Sequence, residues 1–337
     1  MQVNLFFRKP YPSAFSIERL FEQLATQFEQ LGVGVSRFVL PEYNNTLGNL
    51  RRNNEWAGTQ VQGQSANDKV VNHITGDVTS LIFNLGQPTV ITFHDCNPLF
   101  RYPKWHPRYW FYRWLIYELP ARRAAAVTAI SEKTRSELLE LTNISDKNLH
   151  VIPNFVDPAI RPAPRPFDTD CPVVLQVGVK PNKNLGRLAQ ALRGLRCRLE
   201  IVGTPGPEDL RQLEDNQIDF SWHAGLSDEE VRRKYENCDL LAFVSTYEGF
   251  GLPILEAQVT GRPVVTSDLS PHREVAGGGG AVLVDPLNVN SIREGISRVI
   301  DDASLREKLL VNGRKNSDNY RIEAIADQYL KLYSNLF

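Results

Sequence analysis

Short apolar runs alternate with amphipathic stretches along the chain. Val3-Asn4-Leu5-Phe6-Phe7, Val90-Ile91-Thr92-Phe93 and Leu240-Leu241-Ala242-Phe243-Val244 are too short for core helices and read as buried strands. The pattern predicts strands over 2–7, 70–74, 88–93, 126–130 and 149–152 in the first half. In the second half it predicts 173–177, 198–202, 239–244, 263–266 and 281–284. Strands alternating with helical patterns argue for parallel α/β layers. A helix is expected over 16–31, with Ser13 and Ser16 as candidate caps. The last helix, about 322–336, sets Ile325, Tyr329, Leu332, Tyr333 and Leu336 at helical spacing.

Proline punctuates the middle of this pattern. Asp157-Pro158-Ala159-Ile160-Arg161-Pro162-Ala163-Pro164-Arg165-Pro166, with Pro172 after it, excludes a helix or central strand and makes a stiff connector. The expected organisation is a first domain over 1–157, a connector over 158–172, a second domain over 173–320 and a final helix over 321–337. A chain of 337 residues is long enough for each domain to bury a core. In such a fold a ligand belongs in the cleft between the two sheets, at the carboxyl ends of the strands.

Composition narrows the function. A formal net charge of −1 and 42% hydrophobic residues carry no global bias toward nucleic acid. No apolar run reaches the ~18 residues of a spanning helix, and the strand at Val3 stands where a signal peptide would carry its apolar core. Cys96, Cys171, Cys197 and Cys238 lack metal-ligand spacing and read as reduced thiols of a cytoplasmic protein. Asp168-Thr169-Asp170 has the form of an Asp-x-Asp metal motif but lies in the connector, where a solvated linker is expected. Gly32-Val33-Gly34 begins a dinucleotide fingerprint, but Arg37 occupies its third glycine position, which argues against an NAD site.

The most informative segment is Ser245-Thr246-Tyr247-Glu248-Gly249-Phe250-Gly251-Leu252-Pro253-Ile254-Leu255-Glu256-Ala257. A strand precedes it, Pro253 suits the first turn of a helix, and Gly261 suits its end. Strand, glycine loop and helix start make an anion cradle. Glu248 and Glu256 flank it, and carboxylates beside a phosphate cradle suit hydroxyls of a sugar and a ribose. Together they point to a nucleotide sugar. Val177-Gly178-Val179-Lys180-Pro181-Asn182-Lys183-Asn184-Leu185 opens the second domain in the same style, with lysines able to reach a diphosphate.

The Glu248-to-Glu256 spacing, its EGFGLPILEA context and the following GRPVVTSDLSPHREVAGGGGAVLVDP resemble the Glu-x7-Glu signature of retaining family 4 glycosyltransferases. That resemblance implies the GT-B fold: two Rossmann-like domains with a C-terminal helix returning to the first. It implies transfer of a sugar from a nucleoside diphosphate to a glycan or lipid-linked glycan, with retention and without a metal, in bacterial cell-surface polysaccharide synthesis. Lys183 matches the family lysine on the donor phosphates, and Lys180 stands where many members have arginine. Gly249, Phe250, Gly251 and Leu252 would line the donor, Glu256 would grip the ribose, and Glu248 would meet the transferred sugar. His94, followed by Asp95, resembles the catalytic His-Asp pair, while Asp95 alternatively caps the next loop. His73 and Asp77 are expected on the acceptor side, and Ser131 as a helix N-cap near substrate. Trp222-His223-Ala224-Gly225-Leu226 falls where family members pack the base. Most members have a glycine-rich loop after the first strand. Here Arg8 to Glu18 has no glycine pair, so the family's contacts there are not carried over.

Between 100 and 123 aromatics interleave with Arg101, Lys104, Arg108, Arg113, Arg122 and Arg123. That mixture suits an anionic bilayer surface, whereas the plainer alternative is an aromatic helix packed on the first sheet. Stacking on single-stranded nucleic acid has no other support in the sequence. Two rival functions share the architecture: a nucleotide-sugar 2-epimerase, and a non-catalytic nucleotide-sugar-binding subunit.

Overall fold

A computed structural model describes residues 1–10, 16–63, 69–86 and 88–337. Two compact units account for the chain. One is Met1–Phe155 together with Ile322–Phe337, and the other is Val156–Arg321.

The first unit is built on a wholly parallel six-stranded sheet, β1 (Gln2–Phe7), β2 (Gly34–Val39), β3 (Val70–Ile74), β4 (Thr89–Phe93), β5 (Ala126–Ala129) and β6 (Leu149–Val151). Its order is β2-β1-β3-β4-β5-β6. β4 and β5 are buried along their whole length, which is why they read as continuous apolar runs. The chain winds from β1 to one side and then the other, so its topological switch point lies between β1 and β3. Loops at the carboxyl ends there, beginning at Arg8 and Thr75, hold the natural ligand crevice of this unit.

The helix Ser16–Gln30 packs beside the C-terminal helix Ile322–Ser334 through aromatic edges, Phe21 on Tyr329 and Phe28 on Tyr333. Ser13 and the side chain of Ser16, the expected caps, lie outside the described residues. A continuous helical segment runs through Pro107–Phe111, a π-helical stretch Tyr112–Glu118 and Leu119–Arg123. Pro120 has no N–H to give the carbonyl of Ile116, and Thr79 Oγ1 donates to that oxygen instead at 2.7 Å.

The second unit carries β7 (Val173–Val177), β8 (Arg198–Val202), β9 (Asp219–His223), β10 (Leu240–Phe243), β11 (Val264–Ser267) and β12 (Val282–Val284). They pair in parallel in the order β12-β11-β10-β7-β8-β9. Here the switch point lies between β7 and β10. The proline-rich segment expected as a separate connector groups with this unit. Its backbone is spoken for: Ala163 N–H donates to Thr260 O at 3.1 Å, and Asp168 N–H to Asp239 Oδ1 at 3.1 Å. Proline stiffness without regular structure therefore gives a segment tied down by hydrogen bonds rather than a free spacer.

Candidate donor-binding site and the first-unit residues

Both segments singled out in the second half lie at its switch point. After β7 the chain turns at Gly178, whose φ of +89° favours glycine. A Cβ there would stand 2.9 Å from Lys183 Cε, so the side chain of Lys183 lies directly over this turn. A 3₁₀ turn, Pro181–Lys183, follows, and Asn184 then takes the left-handed conformation (φ +63°) before the helix Leu185–Leu192. Asparagine tolerates that conformation better than most residues. Here it is held in place, since Asn184 Nδ2 donates to Val244 O and Pro286 O.

The loop after β10 docks on this turn. Thr246 N–H donates to Asn182 O at 2.8 Å, and Asn182 Nδ2 donates to Tyr247 O at 2.8 Å and Glu248 Oε1 at 3.2 Å. Glu248 Oε1 also receives Lys183 Nζ at 2.7 Å, with both side chains about one-sixth exposed. Lys183 Nζ lies over the Phe243 ring as well, 4.6 Å from its centroid. The cation is thus held between the Glu248 carboxylate, the Phe243 ring and the turn at Gly178. Lys180 is exposed and has no ion-pair partner among the described residues. Gly251 (φ +126°) begins the helix Leu252–Thr260, and Gly261 ends it in the left-handed region. Gly249 and Leu252 are half-buried on the same turn, while Phe250 is buried and edges against Tyr320 at 5.9 Å.

Glu256 projects from the first turns of this helix, and its Oε2 accepts from Tyr235 Oη of the neighbouring helix Asp228–Asn237. Tyr235 is 1% exposed, and its phenol is pushed well above the ordinary range by burial and by the Glu256 charge, so it stays a hydrogen donor. Behind both, buried Arg262 gives Nε to Tyr235 O, Nη1 to Gly261 O, and Nη2 to Ala163 O and Glu236 O. It joins the two helices to the proline-rich segment. Asn182, Tyr235 and Arg262 were not singled out in the sequence. Asn182 could have been found as part of an Asn-Lys-Asn turn after a strand, whereas Tyr235 reads only as a core position at helical spacing.

In the first unit the candidates divide. His94 Nε2 lies 2.8 Å from Thr75 O, a carbonyl that can only accept, so Nε2 carries the proton and Nδ1 the lone pair. Burial pushes this imidazole down, only partly opposed by that hydrogen bond, and keeps it neutral at pH 7. Asp95 takes the alternative role: its carboxylate accepts from Asn97 N–H at 2.8 Å and Asn97 Nδ2 at 3.1 Å, capping the loop. Ser131 is the N-cap of the helix Glu132–Leu141, accepting from Thr134 N–H at 3.1 Å. Asp77 is exposed, 3.4 Å from Arg8 Nη1. His73 corrects its expected place on the acceptor side. It is fully buried, with Nδ1 2.6 Å from Tyr333 Oη and Nε2 2.7 Å from Thr92 Oγ1, so it ties the sheet to the C-terminal helix.

Burial, with a smaller push from His94, lowers the His73 pKa to about 3. The unfolded chain, titrating near 6.5, then binds a proton that the folded one refuses. The resulting stability is complete above pH 6.5 and falls by about 1.4 kcal/mol per pH unit toward pH 3. The first unit should therefore melt lower at pH 5 than at pH 7, and His73→Gln should flatten that slope. An equal slope in the variant contradicts the assignment.

Asp168 of the Asp-x-Asp sequence receives the N–H groups of Asp170 and Cys171, which hold its carboxyl below the usual range. Among the described residues no group of three or more His, Cys, Asp or Glu is placed to hold a metal ion, and no helix is long and apolar enough to cross a membrane.

Two family models match the chain in succession: Glycosyltransferase Family 4 over residues 17–160 and Glycosyl transferases group 1 over 160–316. The O-antigen chain mannosyltransferase B of Escherichia coli is 30% identical over 278 residues, covering 73% of this chain and 70% of the relative. The MMP alpha-(1->4)-mannosyltransferase of Mycolicibacterium hassiacum is 26% identical over 225 residues, covering 63% of this chain and 54% of the relative. Among solved structures, Anabaena HepE in complex with UDP and glucose superposes with a TM-score of 0.79 at 18% identity, over 99% of this chain and 100% of that one. Parallel sheets, switch-point loops and relatives agree, and the chain belongs to the family 4 (group 1) glycosyltransferases, with the GT-B fold.

Proposed function

We propose that this glycosyltransferase moves a hexose from a nucleoside diphosphate sugar to a glycan or lipid-linked glycan of a cell-surface polysaccharide, with retention of configuration and without a metal ion. The observation that carries this reading is the pairing of Lys183 with Glu248 at the switch point of the second unit, beside the helix that presents Glu256. A diphosphate is drawn to Lys183 and the amides near Gly251, and a leaving diphosphate is the charge that most needs stabilising. Glu248 and Glu256 accept hydroxyls of the transferred sugar and the ribose. Neutral His94, with its Nδ1 lone pair, orients the sugar. Mannose is the donor sugar to try first, since the E. coli and M. hassiacum relatives are named mannosyltransferases.

The test is to supply nucleotide mannose with a lipid-linked glycan acceptor and determine the anomeric configuration of the product. An α-product from an α-donor supports retention, and a β-product contradicts it. Donor alone should yield no epimer. Tyr235 is a positioning residue in this scheme, because it fixes the carboxylate of Glu256. Tyr235→Phe and Glu256→Gln should both reduce the preference for a ribose over a 2′-deoxyribose nucleoside diphosphate. Undiminished discrimination in both removes Glu256 from the ribose.

The segment 100–123 supports work at an anionic membrane surface. Trp105 is 80% exposed, Phe100, Trp110 and Trp114 are exposed too, and Arg101, Lys104, Arg122 and Arg123 lie on the surface among them. Co-sedimentation should be stronger with anionic than with neutral vesicles, and equal binding contradicts this part.

A further inference from the structure

The first unit has a cavity of about 950 Å³ at its own switch point. Loops after β1, β2, β3 and β4 all contribute to its lining, through Arg8 and Lys9, Glu42, Asp77 and Arg101 respectively, and Arg108 adds another cation. Four cationic side chains thus face two carboxylates. The carboxylates are already engaged, Asp77 with Arg8 at 3.4 Å and Glu42 with Arg52 at 3.6 Å. Arg8 also pairs with Glu18, and it is the other three cations that have no carboxylate partner among the described residues. Lys9 Nζ donates to the carbonyl of Pro41 at 2.8 Å, Arg108 to the hydroxyl of Tyr102 at 3.2 Å, and Arg101 pairs with no carboxylate among the described residues. A cavity with this surplus favours an anion, and guanidinium groups favour one with the geometry of phosphate.

One side of the cavity is apolar. Phe111, Tyr112 and Ile116 line it, and they belong to the helical segment that exposes Trp110, Trp114 and Leu115 to solvent. One helical segment therefore lines the cavity and also carries the exposed aromatics. A ligand with a phosphate group and an apolar tail satisfies both.

We infer that this cavity holds the phosphate of the acceptor, an isoprenoid or other long-chain alkyl phosphate or diphosphate ester, through Arg101, Arg108 and Lys9, with its chain laid against Phe111 and Ile116. The inference rests on the glycosyltransferase reading above for its word acceptor, though not for the binding itself. Phosphate, rather than the glycan alone, then sets which acceptors are admitted.

The test titrates the full chain with decyl phosphate below its micelle concentration, read by tryptophan fluorescence, with a neutral decyl glycoside and inorganic pyrophosphate as separate arms. It is done in the Lys183→Ala background, so that anions at the donor loops do not contribute. Decyl phosphate should bind saturably and at least tenfold more tightly than either control. Arg101→Glu with Arg108→Glu should weaken it at least tenfold, while Lys69→Glu with Lys147→Glu, exposed cations just before β3 and β6 and outside the cavity lining, should leave it within about twofold. Equal binding of the neutral glycoside, or indifference to Arg101→Glu/Arg108→Glu, overturns the inference. Tighter binding of pyrophosphate than of decyl phosphate overturns the lipid part and leaves a free-phosphate site. Nucleotide-sugar binding by the wild-type chain is measured alongside. Its absence, with decyl phosphate still bound, sinks the enzyme reading and leaves the cavity assignment standing.

Discussion

Lys183→Ala should abolish the rise in melting temperature that a nucleoside diphosphate sugar gives the wild-type chain, and should lower kcat/KM by roughly 10²–10³-fold. A ligand that binds only the folded state raises stability in proportion to its affinity, so the shift reports occupancy directly. One charge-assisted hydrogen bond is worth about 1.5–3 kcal/mol, which already removes tenfold or more of the affinity. The larger loss in rate follows because the leaving diphosphate carries more charge in the transition state than in the bound donor. Lys180→Ala should do much less, since that side chain is exposed and unanchored. Each shift is read against the variant's own unliganded melt, because Glu248 loses its cationic partner when Lys183 is removed. A full donor-induced shift in Lys183→Ala contradicts the assignment of the phosphate site.

Arg262→Met should destabilise the second unit by about 3–5 kcal/mol. The guanidinium is 3% exposed and satisfies four carbonyl oxygens, those of Tyr235, Gly261, Ala163 and Glu236. Methionine fills much of the space but leaves those acceptors buried without donors, each costing about 1–3 kcal/mol before relaxation. For a unit of this size the melting temperature should drop by roughly 10 °C. Burial lowers the pKa of this arginine from its ordinary value. A change below 2 °C would mean that these carbonyls find other partners. Because the two helices joined here carry Tyr235 and Glu256, the variant should also bind donor more weakly at temperatures where it remains folded.

The inner strands β4, β5, β10 and β11 were legible in the sequence because they are buried along their whole length and read as largely apolar runs. The strands not anticipated, β2 and β9, are each the last strand at one edge of their sheet. Their sequences, GVSRFV and DFSWH, are half-exposed and interrupted by charged or polar residues, so apolar continuity fails there. The loops after β7 and β10 were legible because their glycines and Pro253 serve backbone geometry, as at Gly178 and Gly251, and such requirements leave a mark in local sequence. Long-range polar contacts leave none. Nothing near Tyr235 reveals that its hydroxyl meets Glu256, and nothing near His73 reveals Tyr333 across 260 positions of chain. A histidine ending a strand looks the same whether it faces a ligand or a tyrosine in the core.

A crystal structure of the chain with an intact or hydrolysed nucleoside diphosphate sugar tests the central claim most directly. The diphosphate is expected beside Lys183 Nζ and the amides around Gly251, with the ribose hydroxyls on Glu256 and the Lys183–Glu248 contact opened or shared. A nucleotide bound away from the loops that follow β7 and β10 would contradict it.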